Sequence, residues 1–106
     1  MTDKRLVLTT VGSRDEANTI ATELVSRRLA ACVNIVGPIA SVYHWQGDVE
    51  RSDEFLLMIK TAEYQMTAVQ EALRSLHSYK IPELIALIID SGFESYLDWI
   101  GASVRR

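Results

Sequence analysis

The chain is poor in the residues that cross-link a protein or bind metals. Its 106 residues include one cysteine, Cys32, and two histidines, His44 and His77. A single cysteine excludes an intramolecular disulfide and a zinc site of the CxxC type. The two histidines lie too far apart in the sequence to form a local pair. One chain therefore offers few side chains for metal binding or acid–base chemistry.

Long hydrophobic runs and an excess of basic residues are also absent. The longest apolar run, 84–89, is far shorter than the roughly 20 residues that cross a bilayer. Segment 6–11 is too short, and too interrupted by threonine, to be the core of a signal peptide. The 11 basic and 14 acidic side chains give a formal charge of −3, which argues against binding nucleic acid through a positive field. We therefore expect no membrane partner, no nucleic-acid partner and a reducing, cytoplasmic location.

The rest of the composition is typical of a globular protein. Hydrophobic residues make up 48% of the chain and charged residues 24%, so enough apolar surface is present to offset the entropy cost of ordering. No linker, internal repeat or low-complexity tract interrupts the sequence. We expect a single domain that spans residues 1–106.

The first part of the chain predicts a strand followed by a helix. Segment 6–11 is rich in β-branched residues and ends at Gly12. Ser13 and Glu16 have capping-box spacing, in which Ser13 caps the first turn and Glu16 reaches back to it. Apolar residues then recur at helical spacing, which predicts a helix to about Leu29.

The middle of the chain predicts an unusually long hairpin. Strand character extends from Cys32 to Trp45 with an interruption at Gly37–Pro38, and a tight turn at 46–48 leads into a second strand, Val49 to Lys60. Fourteen extended residues would span roughly 45 Å, more than the ~26 Å diameter of a compact domain of this length. We expect the hairpin to project and its edges to pair with another subunit. The alternative is a bulge at Gly37–Pro38 that folds the hairpin back onto the domain.

The last part of the chain predicts a helix, a strand and a further helix. An apolar stripe over 62–76 predicts the second helix, and 77–82 is a loop. Segment 84–89 is apolar on both faces, which is typical of a buried strand. Ser91 and Glu94 repeat the capping-box spacing before the last helix. The order β-α-β-β-α-β-α predicts an α+β, ferredoxin-like split βαβ fold with an added C-terminal helix.

Several segments of this sequence match one family's motifs, in order and over almost the whole chain. They are LAACVNI at 29–35, SVYHWQG at 41–47, KT at 60–61, HSYKIPELIA at 77–86 and YLDWI at 96–100. The sequence thereby resembles the CutA family, the divalent-cation tolerance proteins. The resemblance implies a homotrimer similar to the signal-transducing P-II proteins, with hairpins that pair between subunits. It also implies a response to divalent metals, most often copper, and no catalysed reaction.

Cys32 and His77 are the candidate metal ligands. A Cys32 thiolate would suit Cu(I), whereas the alternative, which free cysteines generally favour, is a small buried hydrophobic residue at the start of a strand. His77 falls in the family's loop motif and could bind copper through a neutral ring nitrogen, or simply complement a helix dipole. We expect copper or another divalent cation as the ligand and no organic cofactor. His44, next to the interface candidate Trp45, occupies a position that the family motif leaves variable.

Lys60, Tyr79 and Glu83 are candidates for binding a small ligand, since all three match family motif positions. The structural alternative is a Lys60–Glu83 ion pair that holds the loop to the strand. Ser78 stands where the family's loop commonly has proline, which predicts a more mobile loop. Other functions compatible with the sequence are a P-II-like sensor of small ligands, a purely structural trimer and, remotely, an acylphosphatase-like enzyme that uses Arg14 and Asn34.

Overall fold

The predicted order of strands and helices is confirmed. The computed structural model describes residues 1–106. Its elements are β1 (Lys4–Val11), α1 (Arg14–Ser26), β2 (Cys32–Trp45), β3 (Asp48–Ala62), a 3-10 turn (Glu63–Gln65), α2 (Met66–Leu76), β4 (Ile85–Ile88) and α3 (Glu94–Ser103). None of these helices has the length and apolar character needed to cross a membrane.

The four strands form one antiparallel sheet in the order β2-β3-β1-β4. Helix α1 connects β1 and β2, which lie on either side of β3, and α2 connects β3 and β4, which lie on either side of β1. This is the ferredoxin-like α+β arrangement. The core lies between α1, α2 and one face of the sheet, where alternate strand residues point toward the helices. Its sheet side includes Val7, Val11, Leu57 and Ile59, and its helix side includes Ile20, Leu24, Val69 and Leu73.

The opposite side of the sheet, which we call the open face, is not covered by α1 or α2. Residues that pair directly across antiparallel strands share a face, so the register assigns its members. They include Leu6, Leu8, Cys32, Asn34, Val36, Leu56, Met58, Lys60, Ile85 and Leu87. Helix α3 packs at one end of the sheet, where the Lys60 ammonium lies 5.6 Å from the centre of the Tyr96 ring.

The β2–β3 hairpin projects from the body, as predicted. Residues 55–62 of β3 pair with β1, but the outer part of β3 pairs only with β2. The molecule measures 44 × 25 × 22 Å along its principal axes. The predicted interruption is a register shift between Val36 and Ile39, and a Cβ on Gly37 would lie 2.6 Å from the Phe55 ring. At the tip, Gln46 and Gly47 both have positive φ, which is typical of a two-residue hairpin turn.

The prediction of a buried strand over 84–89 is wrong for strand β4. It comprises only Ile85–Ile88 and pairs on one side with β1. All four residues are exposed, including Ile85 at 51% and Ile88 at 50%. The apolar run was predicted to be buried because both of its faces are hydrophobic, but β4 is an edge strand that no helix covers.

The helix ends also differ from the predicted ones. Helix α1 ends at Ser26 rather than Leu29, because Arg28 adopts a left-handed φ of +60° and the Leu29 amide bonds back to Leu24. The capping box predicted at Ser91 is wrong. Phe93 is the N-cap of α3, and its carbonyl accepts hydrogen bonds from the first-turn amides of Tyr96 and Leu97.

Candidate functional site

A cavity of about 550 Å³ lies between the foot of the projecting hairpin and the loop that follows α2. We call it the hairpin groove. Its carboxyl groups come from Glu54 and Glu83, and Tyr79 adds a phenol beside them. The remaining wall residues are Thr10, Ser41, Val42, Tyr43, Trp45, Lys80 and Ile81. The volume is within the range of small-molecule sites.

Glu54 lies at the point where the hairpin leaves the body of the sheet. The next residue, Phe55, pairs with the last residue of β1, whereas Glu54 itself pairs with Ile39 just beyond the register shift. Glu54 is only 7% exposed. The Tyr79 hydroxyl donates a 2.7 Å hydrogen bond to Glu54 Oε2, which satisfies one oxygen of this buried carboxylate.

The Tyr79 hydroxyl is held in its protonated form. Burial is the main cause that raises the pKa of Tyr79 above its usual value, and the hydrogen bond to the Glu54 carboxylate adds to it. Gly12 makes room for this phenol, because a Cβ there would lie 3.2 Å from the Tyr79 oxygen. Tyr79 therefore acts in the groove as a neutral hydrogen-bond donor.

Glu83 is the second carboxyl group of the groove. Burial raises its pKa above the usual value, and the negative charge of Glu54 raises it further. An ionised Glu83 is therefore partly desolvated and repelled by its neighbour. A cation in the hairpin groove would relieve both effects, so the groove is electrostatically suited to a positively charged ligand.

His77 is buried behind the groove, and both of its ring nitrogens have partners. Nε2 lies 2.8 Å from the Thr10 carbonyl oxygen, and Nδ1 lies 3.1 Å from the Tyr79 amide nitrogen. Since an amide can only donate and a carbonyl can only accept, this pattern assigns the neutral tautomer with the proton on Nε2. A metal ion would reach either nitrogen only by displacing one of these partners.

Glu16 anchors the loop after His77 to helix α1. Its two carboxylate oxygens accept 2.9 Å hydrogen bonds from the Ser78 amide and hydroxyl. Ser13 caps α1 as predicted, with its side chain accepting from the Glu16 amide. However, the Glu16 side chain does not complete the capping box, because it is used by this tertiary contact. Ser78, at which a more mobile loop was predicted, is thus tied to the body of the protein.

The structure separates Cys32 from His77 within one chain. Cys32 lies on the open face and pairs across the strands with Lys60, which in turn pairs with Leu6. The ring of His77 contacts the carbonyl oxygen of Thr10. Thr10 is four residues beyond Leu6 along β1, a distance of roughly 13 Å. The Cys32 thiol lies 3.7 Å from the Asn34 side-chain oxygen. No three His, Cys, Asp or Glu side chains are grouped so that they could hold a metal ion.

The three predicted ligand-binding residues are only partly brought together. Tyr79 and Glu83 both line the hairpin groove, whereas Lys60 lies beside Cys32 and the Tyr96 ring. The alternative Lys60–Glu83 ion pair does not form. Glu83 lines the groove together with Glu54, and Lys60 lies six residues beyond Glu54 along β3, or roughly 20 Å away.

Glu54, the most buried acidic residue of the groove, is not among the residues predicted from the sequence. The available signal was its position as the last polar residue before the apolar run 55–59 of a long strand. His44 is exposed on the hairpin opposite Val49. The residues of the acylphosphatase-like alternative are not gathered, since the Arg14 guanidinium lies over the Phe55 ring and Asn34 is on the open face.

Known proteins resemble this chain over almost its whole length. The model of the family described as "CutA1 divalent ion tolerance protein" matches residues 5–103. The divalent-cation tolerance protein CutA of Thermus thermophilus is 46% identical over 97 residues, covering 92% of this chain and 94% of that protein. A chloroplastic CutA protein of Arabidopsis thaliana is 42% identical, covering 95% of this chain but 56% of its own length. The solved structure of the Thermus thermophilus protein superposes with a TM-score of 0.94 at 44% identity, covering 96% of this chain and 99% of that chain.

Proposed function

The chain belongs to the CutA1 divalent ion tolerance protein family, and from that membership we propose that it is a trimeric, metal-responsive binding protein. Copper or another divalent cation is the proposed ligand, and no catalysed reaction is part of the proposal. The proposed location is the cytoplasm, where the free Cys32 would remain a thiol. The observation that supports a cationic ligand most directly is the pair of carboxyl groups, Glu54 and Glu83, in one groove.

The charges of the hairpin groove favour a cation over an anion. Glu54 is buried with a single hydrogen-bond donor, Tyr79, and Glu83 faces the field of that carboxylate. Carboxylate oxygens are ordinary ligands of divalent cations. Lys80 is the one cationic side chain in the wall of the groove, so the ionised groups around it carry a net negative charge.

The exposed apolar surfaces support self-assembly. The open face presents Val36, Ile85 and Leu87, and the hairpin presents Tyr43 and Trp45, all among the exposed large hydrophobic residues. Contiguous apolar patches and unpaired strand edges are features that proteins normally cover. A second and third copy of the chain would cover both, and the trimeric stoichiometry is taken from the family resemblance.

Assembly also bears on the proposed metal ligands. Cys32 lies on the open face and His77 lies at the other end of the sheet, so one chain cannot place both around one ion. In a trimer, the thiol of one copy is free to face groups of another copy. A copper site that uses Cys32 and His77 is therefore proposed to form between chains, with assembly supplying the remaining ligands. Binding copper would require the buried His77 ring to give up its contact with Thr10 or Tyr79.

Native mass spectrometry with and without Cu²⁺ tests both parts of this proposal. We expect a trimer at micromolar chain concentration and a saturable, integral number of copper ions bound per trimer. Calorimetric titrations would then compare Cys32→Ser and His77→Ala with a His44→Ala control at about pH 7.5. We expect weaker binding for the first two variants and unchanged binding for the control.

Two results would contradict the proposal separately. A monomer at micromolar concentration would refute the trimer. Trimeric Cys32→Ser and His77→Ala variants that bind copper as the wild type does would show that these two residues are structural. In that case Glu54→Gln and Glu83→Gln would show whether the hairpin groove alone binds the ion, because each substitution removes one carboxylate without changing the shape of the side chain.

A further inference from the structure

A second cavity, of about 420 Å³, lies between the outer surface of α2 and segment 80–84. We call it the helix cleft. Its polar lining comes from Gln70, Arg74, Lys80 and Glu83, and its apolar lining from Leu73, Ile81, Pro82 and Leu84. Polar and apolar residues contribute equally to this lining, so the cleft offers both charged contacts and an apolar surface.

The two basic side chains of the helix cleft have no carboxylate partner. The ion pairs of the protein involve Lys4, Arg5, Arg27 and the N-terminus, but neither Arg74 nor Lys80. Neither side chain makes a hydrogen bond within the chain. Both are exposed, and they converge on the same cavity from α2 and from the loop. Gln70, one helical turn before Arg74, adds an amide donor on the same side of α2.

The single acidic group of the helix cleft does not neutralise these cations. Glu83 also lines the hairpin groove, and it forms no ion pair with Arg74 or Lys80. With two cations and one carboxyl group, the lining of the cleft has an excess of positive charge. The hairpin groove, on the other side of segment 80–83, has an excess of negative charge.

We propose that the helix cleft binds a small organic anion, whose phosphate or carboxylate contacts Arg74 and Lys80 and whose apolar part lies on Leu73, Pro82 and Leu84. Arginine and lysine together provide a forked donor and a point charge, which is a common arrangement for phosphate and carboxylate groups. The half-buried Pro82 and Leu84 and the buried Leu73 give the apolar part a surface that inorganic ions would not use. This site does not include Cys32 or His77, although Lys80 and Glu83 line both the helix cleft and the hairpin groove.

The test is a titration of the full chain with phenyl phosphate, followed by the shifts of backbone amide signals in NMR spectra. We expect saturable shifts confined to residues around 70–74 and 80–84. Removing one charge-assisted contact in Arg74→Gln or Lys80→Gln should weaken binding about tenfold. The matched control is Arg51→Gln, an exposed arginine on the hairpin far from the cleft, which should bind as the wild type does.

The same titration with inorganic phosphate tests the apolar part of the proposal. Phenyl phosphate should bind more tightly than inorganic phosphate, and equal affinities would overturn the assignment of an organic ligand. Binding that is unchanged in Arg74→Gln and Lys80→Gln, or absent at millimolar phenyl phosphate, would overturn the site itself. Arg74 also complements the dipole of α2 from its last turn. If its role were purely structural, Arg74→Gln would lower thermal stability without lowering the affinity for phenyl phosphate, and this result would overturn the assignment of Arg74.

Discussion

The same substitution at two buried threonines is predicted to have opposite effects on stability. Thr9 in β1 and Thr61 in β3 are both fully buried and, by the strand register, both point toward α1 and α2. The Thr61 hydroxyl donates a 2.6 Å hydrogen bond to the Leu29 carbonyl. The Thr9 hydroxyl has no hydrogen-bond partner. Valine replaces the hydroxyl with a methyl group of nearly the same shape, so each substitution isolates one hydroxyl.

The magnitudes follow from the hydrogen bonding. Burying a hydroxyl without a partner costs about 1–3 kcal/mol, so Thr9→Val should raise the free energy of unfolding by about 1–2 kcal/mol. Thr61→Val removes a hydrogen bond and leaves the Leu29 carbonyl without that donor, which should lower the free energy of unfolding by about 1–3 kcal/mol. In a chain of this length, about 1 kcal/mol corresponds to a change of roughly 4–8 °C in Tm.

Urea denaturation followed by circular dichroism measures both changes. Wild type and variants must be compared at the same chain concentration, because the unfolding of an oligomer depends on it. The double variant should show nearly additive effects, since the two hydroxyls share no partner. The reasoning is refuted if Thr9→Val destabilises the protein as Thr61→Val does, because the unpaired hydroxyl would then contribute nothing.

Three further predictions concern the hairpin and the groove. Trp45→Asp should leave helical circular dichroism intact while sedimentation velocity shows weaker assembly, and an unchanged trimer would contradict the interface role. The folded-state pKa of Glu83 is raised above its usual 4.5, so its contribution to stability is present below that pH and is lost as pH rises through the raised value. Glu83→Gln should therefore gain stability relative to wild type between about pH 4 and pH 7. A stability difference between variant and wild type that does not change with pH would contradict this prediction. Gly47→Ala should lower the free energy of unfolding by about 1–2 kcal/mol, because only its left-handed φ opposes a side chain. Gly37→Ala should lower it by about 1–3 kcal/mol more, because the added Cβ also clashes with Phe55. Equal losses for the two variants in urea denaturation would refute the clash.

The order of elements could be predicted because it depends on local patterns. Apolar spacing in α1 and α2 is visible in any window of the sequence, and the projection of the hairpin follows from comparing strand length with domain size. The environment of β4 could not be predicted in this way. A strand that is hydrophobic on both faces looks the same whether its own chain covers it or leaves it as an exposed edge.

The candidate site could be predicted only where its residues are close in the sequence. Tyr79 and Glu83 lie in one loop, and the structure places both in the hairpin groove. Lys60 and Glu54 belong to the same strand, and only the register with β1 and β2 determines that position 54 faces the groove. Likewise, the spacing of Ser13 and Glu16 could not reveal that the Glu16 carboxylate is used by Ser78.

The hairpin groove and the proposed assembly surface share residues, and this has a physical consequence. Tyr43 and Trp45 form part of the groove wall and also belong to the part of the hairpin that has no third strand. A neighbouring copy that pairs with this part of the hairpin would therefore change the shape and the solvent exposure of the groove. Lower solvent exposure would strengthen the interaction of a bound cation with Glu54 and Glu83. By linkage, a cation that prefers the covered groove must in turn favour the assembled state, so metal affinity and oligomeric state are expected to depend on each other.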